Sequence, residues 1–325
     1  MLKILKLIFW LTGLSLLVWA INSTDLSSVG TLLTKMKLGI VVVLSVYIVI
    51  NLMDAIAWKF TLKPNEANGV KVWTLWKIRQ IGEALNMATP LGTVGGEPAK
   101  AQLLKETYGL NYKQAISSLV ATRTTNLIGL VFFLAWGAIL IWQSDTISGT
   151  FKTTCQWALG IFSTLIFLFL VFQIAGFLEK IAQRIGKFSF ISPKAKLFLE
   201  EIETLSEHMA DYYKNNRGRF ALSIWYSFVG WILGILELYL ALYFLGFSLS
   251  FNDLWIIEAL TQLLKVGSFF IPLGIGAMES GLILIFSSMG MTPDLGLTVS
   301  IVRRIKELTW IALGLTLSGK LVFKK

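Results

Sequence analysis

The sequence predicts an all-α, polytopic membrane protein with about six full spans and two Pro/Gly-broken re-entrant hairpins in an inverted repeat. Three observations predict it. Apolar runs of bilayer length recur along the chain, lysine and arginine gather in alternate loops, and a short Pro/Gly/Glu motif occurs twice. Composition agrees: 55% of the 325 residues are hydrophobic and 15% are charged, with a mean hydropathy of +0.70. A soluble domain carries about a quarter of its residues as charges.

The apolar runs fall at 4–21, 38–58, 115–142, 155–177, 220–247 and 296–319. Each is long enough to cross about 30 Å of hydrocarbon at about 1.5 Å per residue. Trp10, Trp19, Trp58, Trp142 and Trp157 stand near run ends, where aromatic belts form. The first run follows Lys3 and Lys6 like a signal peptide, but Trp19 and the lack of a small-residue cleavage site predict an uncleaved first span. Two further apolar stretches are interrupted, 72–104 at Pro90 and 254–289 at Pro272.

Basic residues orient the spans. Lys59, Lys63, Lys71, Lys77 and Arg79 lie together, eight Lys and Arg lie in 179–219, and three close the C-terminus. The alternate loops hold only Lys35, Lys37 and Lys152. The positive-inside rule puts both termini and both basic segments in the cytoplasm, and the chain in the cytoplasmic (inner) membrane. Each interrupted stretch then enters and leaves on one face, 72–104 from the cytoplasm and 254–289 from outside. Re-entrant hairpins satisfy this parity; a pair of short spans in each stretch satisfies it too. Within 179–219, residues 193–216 read as an amphipathic surface helix, with Leu197, Ile202, Leu205 and Met209 opposite Glu200, Glu201, Glu203 and Glu207.

The interruptions match. Pro90-Leu91-Gly92 and Pro272-Leu273-Gly274 are each followed by a glutamate seven residues after the proline, Glu97 and Glu279. The offset is 272 − 90 = 182, which carries residue 38 to 220 and 115 to 297. Span, interrupted stretch and span thus recur as repeats 38–142 and 220–319 within one membrane domain. Proline removes an N–H and kinks a helix, and the freed backbone must be buried in protein or line a polar cavity. Matching Pro/Gly breaks in two halves point to a binding site in transporters. A packing kink between close helices gives the same pattern.

Ionisable residues recur in the apolar runs: Glu97 and Glu279 after the breaks, Arg123, Arg303, Arg304, Lys306 and Glu307 in the following spans, and Asp54 and Glu237 in the preceding ones. Each costs about 2.5–3.5 kcal/mol even on permissive insertion scales and is a functional candidate by default. The candidate substrate site comprises Glu97, Arg123, Glu279, Arg303 and Arg304 with the break residues Pro90, Gly95, Gly96, Pro272, Gly274 and Gly276. Asp54 and Glu237 are candidates for proton or ion coupling. The plainest alternative is that Arg123 and Arg304 simply pair with Glu97 and Glu279. The only cysteine, Cys155, reads as a packed thiol and the only histidine, His208, as a solvated one. Neither a zinc site nor a His-dependent triad is supported, no basic stripe with exposed aromatics suggests nucleic acid, and no cofactor is expected.

Three segments resemble a known family: PLGTVGGEPAKAQLL at 90–104, IPLGIGAMESGLILIF at 271–286 and RRIKELTWIALGL at 303–315. They resemble the flippase-like, lysylphosphatidylglycerol synthetase transmembrane-region family, in particular its hopanoid-biosynthesis-associated branch, over essentially the whole chain. Two positions depart from the family pattern. Lys100 stands where arginine often follows the GGEP box, and Arg123 is followed by Asn126 rather than an aspartate. The resemblance implies movement of lipids or lipid-linked groups; together with the pairing of breaks and charges it leads to the expectation of an anionic phospholipid or an isoprenoid- or hopanoid-type lipid whose head group is bound by Arg123 and Arg303 or Arg304, with hairpin N–H groups adding to this. It implies membrane lipids as partners and no enzymatic activity. A membrane-embedded transferase of lipid-linked groups, or an accessory scaffold for a lipid-synthesis enzyme, are the other readings; oligomeric state stays open.

Overall fold

The computed structural model describes residues 2–88, 95–147, 149–174, 184, 209–268 and 271–322. Pro90 and its neighbours through Val94, His208 and most of the predicted surface helix lie outside the described residues. Among the described residues every regular element is helical. The chain begins with α1 (Leu2–Asn22) and α2 (Leu26–Met36), continues through α3 (Gly39–Thr61) and the single turn α4 (Pro64–Ala67), and reaches the first interrupted pair, α5 (Val72–Ala88) and α6 (Gly96–Tyr108). Next come α7 (Tyr112–Gln143), α8 (Gly149–Ile174) and α9 (Arg217–Leu245). The second interrupted pair is α10 (Phe251–Gly267) and α11 (Ala277–Ser288), with a 3-10 turn at Pro272–Gly274 between them, and α12 (Pro293–Val322) ends the described chain.

Four of these helices, α3, α7, α8 and α9, are long and apolar enough to cross a membrane, and a fifth span results if Leu11–Asn22 and Leu26–Met36, bent by 85°, are one. The chain is a membrane protein. Helix α12 has the length, but Arg303, Arg304, Lys306 and Glu307 in its middle keep its composition below that of a simple span. Helix α8 shows why lipid is required. It buries Cys155, Leu159, Ser163, Ile166 and Leu170 on one face, while Ile161, Leu165, Leu168 and Phe172 stand exposed on another. A contiguous apolar stripe of this kind is rare on a monomeric soluble protein.

Local chemistry sets the ends. Asn111 caps α7, its side chain accepting from the Lys113 N–H, while Gln114 reaches back to the Asn111 N–H. Helix α9 stops at Gly246, which takes the left-handed conformation at φ 88°, a conformation that costs glycine nothing. The short α2 was not expected. Asp25 caps it, and the Asp25 N–H donates to Asp294 Oδ1 at 2.8 Å, tying the α1–α2 corner to the start of α12.

Two apolar clusters divide the molecule. One gathers α5 and α6 with the C-terminal part of α3, the N-terminal part of α7 and Trp310 and Leu313 of α12. The other gathers α10 and α11 with the N-terminal part of α3, the C-terminal parts of α7 and α9 and the N-terminal part of α12. The interrupted pairs therefore pack at opposite ends of the long helices. Residues 209–215 are helical and dock on the end of α3. The Tyr212 hydroxyl donates to the Phe60 carbonyl at 2.7 Å, and Arg219 donates to the carbonyls of Lys59 and Leu62. Met209 and Tyr212 are buried, so this end of the predicted surface helix buries its apolar side in protein rather than laying it on lipid.

Lipid tails are as apolar as leucine, so helices in a bilayer associate through close packing rather than hydrophobic burial. Small residues permit it here. A Cβ at Gly96 would overlap the Gly82 carbonyl, and one at Gly82 would overlap the Lys100 side chain. Gly96→Ala is accordingly expected to separate α5 from α6 and cost about 1–3 kcal/mol, read as a lowered unfolding temperature in detergent. Gly160→Ala, where a methyl meets nothing within 4 Å, should show no loss. Equal behaviour of the two variants would refute the close crossing.

Candidate functional site

Helices α3, α5, α6 and α7 bring charged side chains together where the first apolar cluster ends. Glu97 lies in the first turn of α6 and Lys100 one turn later, so both face the same side. Lys100 Nζ donates to Glu83 Oε1 at 2.7 Å and to Glu97 Oε1 at 2.9 Å. Arg123 Nη2 lies 2.6 Å from Glu97 Oε1 and 3.4 Å from Glu83 Oε1. Two carboxylates and two cations thus alternate in a closed ring. The Lys100 side chain is 4% exposed, whereas that of Arg123 is 50% exposed.

A second pair adjoins the ring. Arg79 Nη2 meets Asp54 Oδ2 at 2.6 Å, and Arg79 also donates to Asn51 Oδ1. Asp54, Arg79, Glu83, Glu97, Lys100 and Arg123, with Trp58, Leu119, Thr122 and Asn126, line an open cavity of ≈ 390 Å³ counted out to solvent. Among the described residues, Arg123 donates only through Nη2. Arg123 lines this cavity, and its remaining N–H groups have no acceptor among the described residues.

The second interrupted pair is built differently. Arg304 Nη2 lies 3.0 Å from Glu279 Oε1, while its Nη1 donates to Glu307 Oε2 and to the Leu273 carbonyl, both at 2.9 Å. Glu237 accepts from Lys306 at 2.6 Å, and Glu258 accepts from Arg303. Lys306 also sits over the Tyr47 ring, 4.9 Å from its centroid. The Glu–Arg pairs that are the plainest alternative to a substrate site therefore form, and Asp54 and Glu237 each hold a cation. Arg303 turns away from Glu279 toward Glu258.

The breaks satisfy their own backbone. Asn86 Oδ1 accepts from the Gly96 N–H at 2.6 Å, and Glu279 Oε2 accepts from the Gly276 N–H at 2.7 Å. The expectation that these N–H groups point at a head group is corrected at both glycines, because an adjacent side chain already takes each bond. At the second break Leu273, Gly274 and Gly276 have φ of 56°, 62° and 82°. Helix α1 covers this break, with Gly13 against Gly276 backbone to backbone and the Ser280 hydroxyl donating to the Leu16 carbonyl at 2.8 Å.

Sequence reasoning overlooked Arg79, Glu83, Asn86 and Glu258 and treated Lys100 only as a departure from a pattern. A signal existed for Glu258, an acid inside the apolar run LWIIEALTQLL, and for Glu83, inside IGEAL beside the break.

A model of the lysylphosphatidylglycerol synthase TM region family matches residues 3–314. The chain belongs to this family. Two archaeal relatives resemble it over most of their length. The UPF0104 membrane protein of Methanocaldococcus jannaschii is 25% identical over 273 residues, covering 79% of this chain and 77% of the relative. The UPF0104 membrane protein of Methanothermobacter thermautotrophicus is 22% identical over 242 residues, covering 71% and 70%. No solved structure matches the chain significantly.

In this family member the ring predicts a specific non-additivity. Lys100→Met leaves two carboxylates on one arginine and is expected to cost about 3–5 kcal/mol, the range for breaking a buried ion pair. Adding Glu83→Gln restores neutrality and should recover a large part of the loss in unfolding temperature. Losses that simply add in the double variant would show that the ring does not act as a unit.

Proposed function

We propose that this chain moves a lipid with an anionic head group across the cytoplasmic membrane, its two interrupted pairs entering from opposite faces as an inverted repeat. The observation that carries the reading is Arg123. It is half-exposed in an open polar cavity, is held by one nitrogen to two carboxylates, and has N–H groups left for an anion. A phosphate is bound well by such charge-assisted, multidentate donors.

Helix boundaries support the repeat. At the 182-residue offset, residue 72 maps to 254, 96 to 278 and 112 to 294, while α10, α11 and α12 begin at 251, 277 and 293. Residue 39 maps to 221, inside α9. The packing of the pairs at opposite ends of the long helices is what opposed entry requires. Arg123 and Arg304 each follow the first residue of their helix by eleven positions, 123 − 112 and 304 − 293. That is roughly 16 Å of rise, half of a hydrocarbon layer about 30 Å thick. On this reading two arginines stand near the midplane, one for each half, and rocking of one repeat against the other carries the head group past them. Both termini and the segment 179–219 lie in the cytoplasm, and repeats 38–142 and 220–319 make one membrane domain. Acids divided between opposite ends suit a path through the protein better than a single catalytic face.

The test is movement of fluorescent phosphatidylglycerol and phosphatidylcholine in vesicles containing the purified chain. Arg123→Ala is expected to slow the anionic lipid by at least about tenfold, the loss of one charge-assisted contact. Glu97→Gln and Glu279→Gln should also slow it by releasing Arg123 and Arg304 from position. If all three variants move lipid as fast as wild type, the proposal is wrong.

A further inference from the structure

Lys265 differs from every other deep cation in the second half. Arg303, Arg304 and Lys306 each hold a carboxylate. Lys265 Nζ has no hydrogen-bond or ion-pair partner among the described residues, and its side chain is exposed. Glu258, two turns earlier on the same helix, is taken by Arg303, and Glu307 by Arg304. On the opposed-entry reading the lysine is also deep. Helix α10 starts at a polar end, with Ser250 as its cap and Asp253 in the first turn. Lys265 follows Phe251 by fourteen residues, roughly 21 Å of rise and beyond the middle of the hydrocarbon layer. It lies at the end of α10, ahead of the second break and next to Val266 in the chain; Val266 and, after the break, Leu273 are both about half exposed.

The repeat sharpens the contrast. At the 182-residue offset Lys265 occupies the position of Glu83, since 83 + 182 = 265. Glu83 closes the first ring by holding Lys100 and Arg123. Its counterpart has the opposite charge and closes nothing. An ammonium at this depth, on which Glu258 and Glu307 act only from a distance and which no carboxylate contacts, keeps much of the insertion cost of a charge, and such residues in membranes mark the path of an ion or substrate.

We propose that Lys265 is a second anion-binding station, taking the phosphate of a lipid head group at the second interrupted pair as Arg123 does at the first. The half-exposed Val266, next to Lys265 in the chain, offers the acyl chains an apolar surface. The lipid identity of the anion rests on the transport reading; the presence of an anion site does not.

The experiment uses the full-length chain in detergent, with thermal unfolding followed against dihexanoylphosphatidylglycerol and, separately, inorganic phosphate. Without ligand, Lys265→Gln should be at least as stable as wild type, because a charge that no carboxylate contacts has been removed. With dihexanoylphosphatidylglycerol the wild type should be stabilised saturably. Lys265→Gln should need about tenfold more lipid, equivalent to about 1.4 kcal/mol, and Lys265→Arg should retain the wild-type response. The station is overturned if Lys265→Gln binds the lipid as wild type does, if wild type does not respond, or if the variant is destabilised without ligand. The same Lys265-dependent shift with inorganic phosphate alone would overturn the lipid assignment in favour of a soluble anion. Lys265-dependent binding with no lipid movement in vesicles keeps the station and removes the transport reading. Movement that is indifferent to Lys265, with unaltered binding, does the reverse.

Discussion

Charge neutralisation inside a low-dielectric layer is the constraint on which the rest of this structure depends. Asp54, Glu83 and Glu97 face Arg79, Lys100 and Arg123 in one half. Glu237, Glu258, Glu279 and Glu307 face Lys306, Arg303 and Arg304 in the other. Each of these groups alone would oppose insertion, and a pair survives desolvation only with good geometry and satisfied hydrogen bonds. Helices α5, α6, α10 and α11 cannot be placed independently of α3, α7, α9 and α12, because each carries charges that only its neighbours compensate. The ion pairs thus specify which helix lies beside which, a task that apolar side chains do poorly in a medium that matches them.

The same economy governs the breaks. An interrupted helix frees backbone donors and acceptors that lipid cannot satisfy. Asn86 takes the Gly96 N–H, Glu279 takes the Gly276 N–H, and Arg304 donates to the Leu273 carbonyl. Glu279 therefore has two duties, holding the turn through one oxygen and an arginine through the other. Helix α1, which belongs to neither half, closes over the second break through the Gly13–Gly276 contact. The pieces outside the repeat finish what it leaves uncovered.

The two interrupted pairs share an order of elements but not a pattern of contacts. At the first pair Arg123 is half-exposed and uses one nitrogen. At the second, Arg304 is bound by two carboxylates and a carbonyl and is less exposed. The difference arises from residues that differ at matching positions, such as Glu83 and Lys265, rather than from the shared Pro/Gly/Glu motif.

What the sequence by itself determined is the class of the protein and where its charged residues and helix breaks fall along the chain. Run length, hydropathy and the doubled motif are local properties, and they sufficed to find the long helices and the two interruptions and to offer the pairing of Glu97 with Arg123 and Glu279 with Arg304 as the plainest alternative to a substrate site. Helix α2 was not legible, because an eleven-residue helix with polar residues on one side looks like a loop. Neither were the ring partners Glu83 and Lys100, nor the choice of Glu258 by Arg303 over the nearer-looking Glu279. Those were decided by tertiary structure alone. Which of several carboxylates meets a given cation depends on helix rotation and on how closely glycines such as Gly82 and Gly96 let backbones approach, and neither quantity is written in the spacing of residues along one chain.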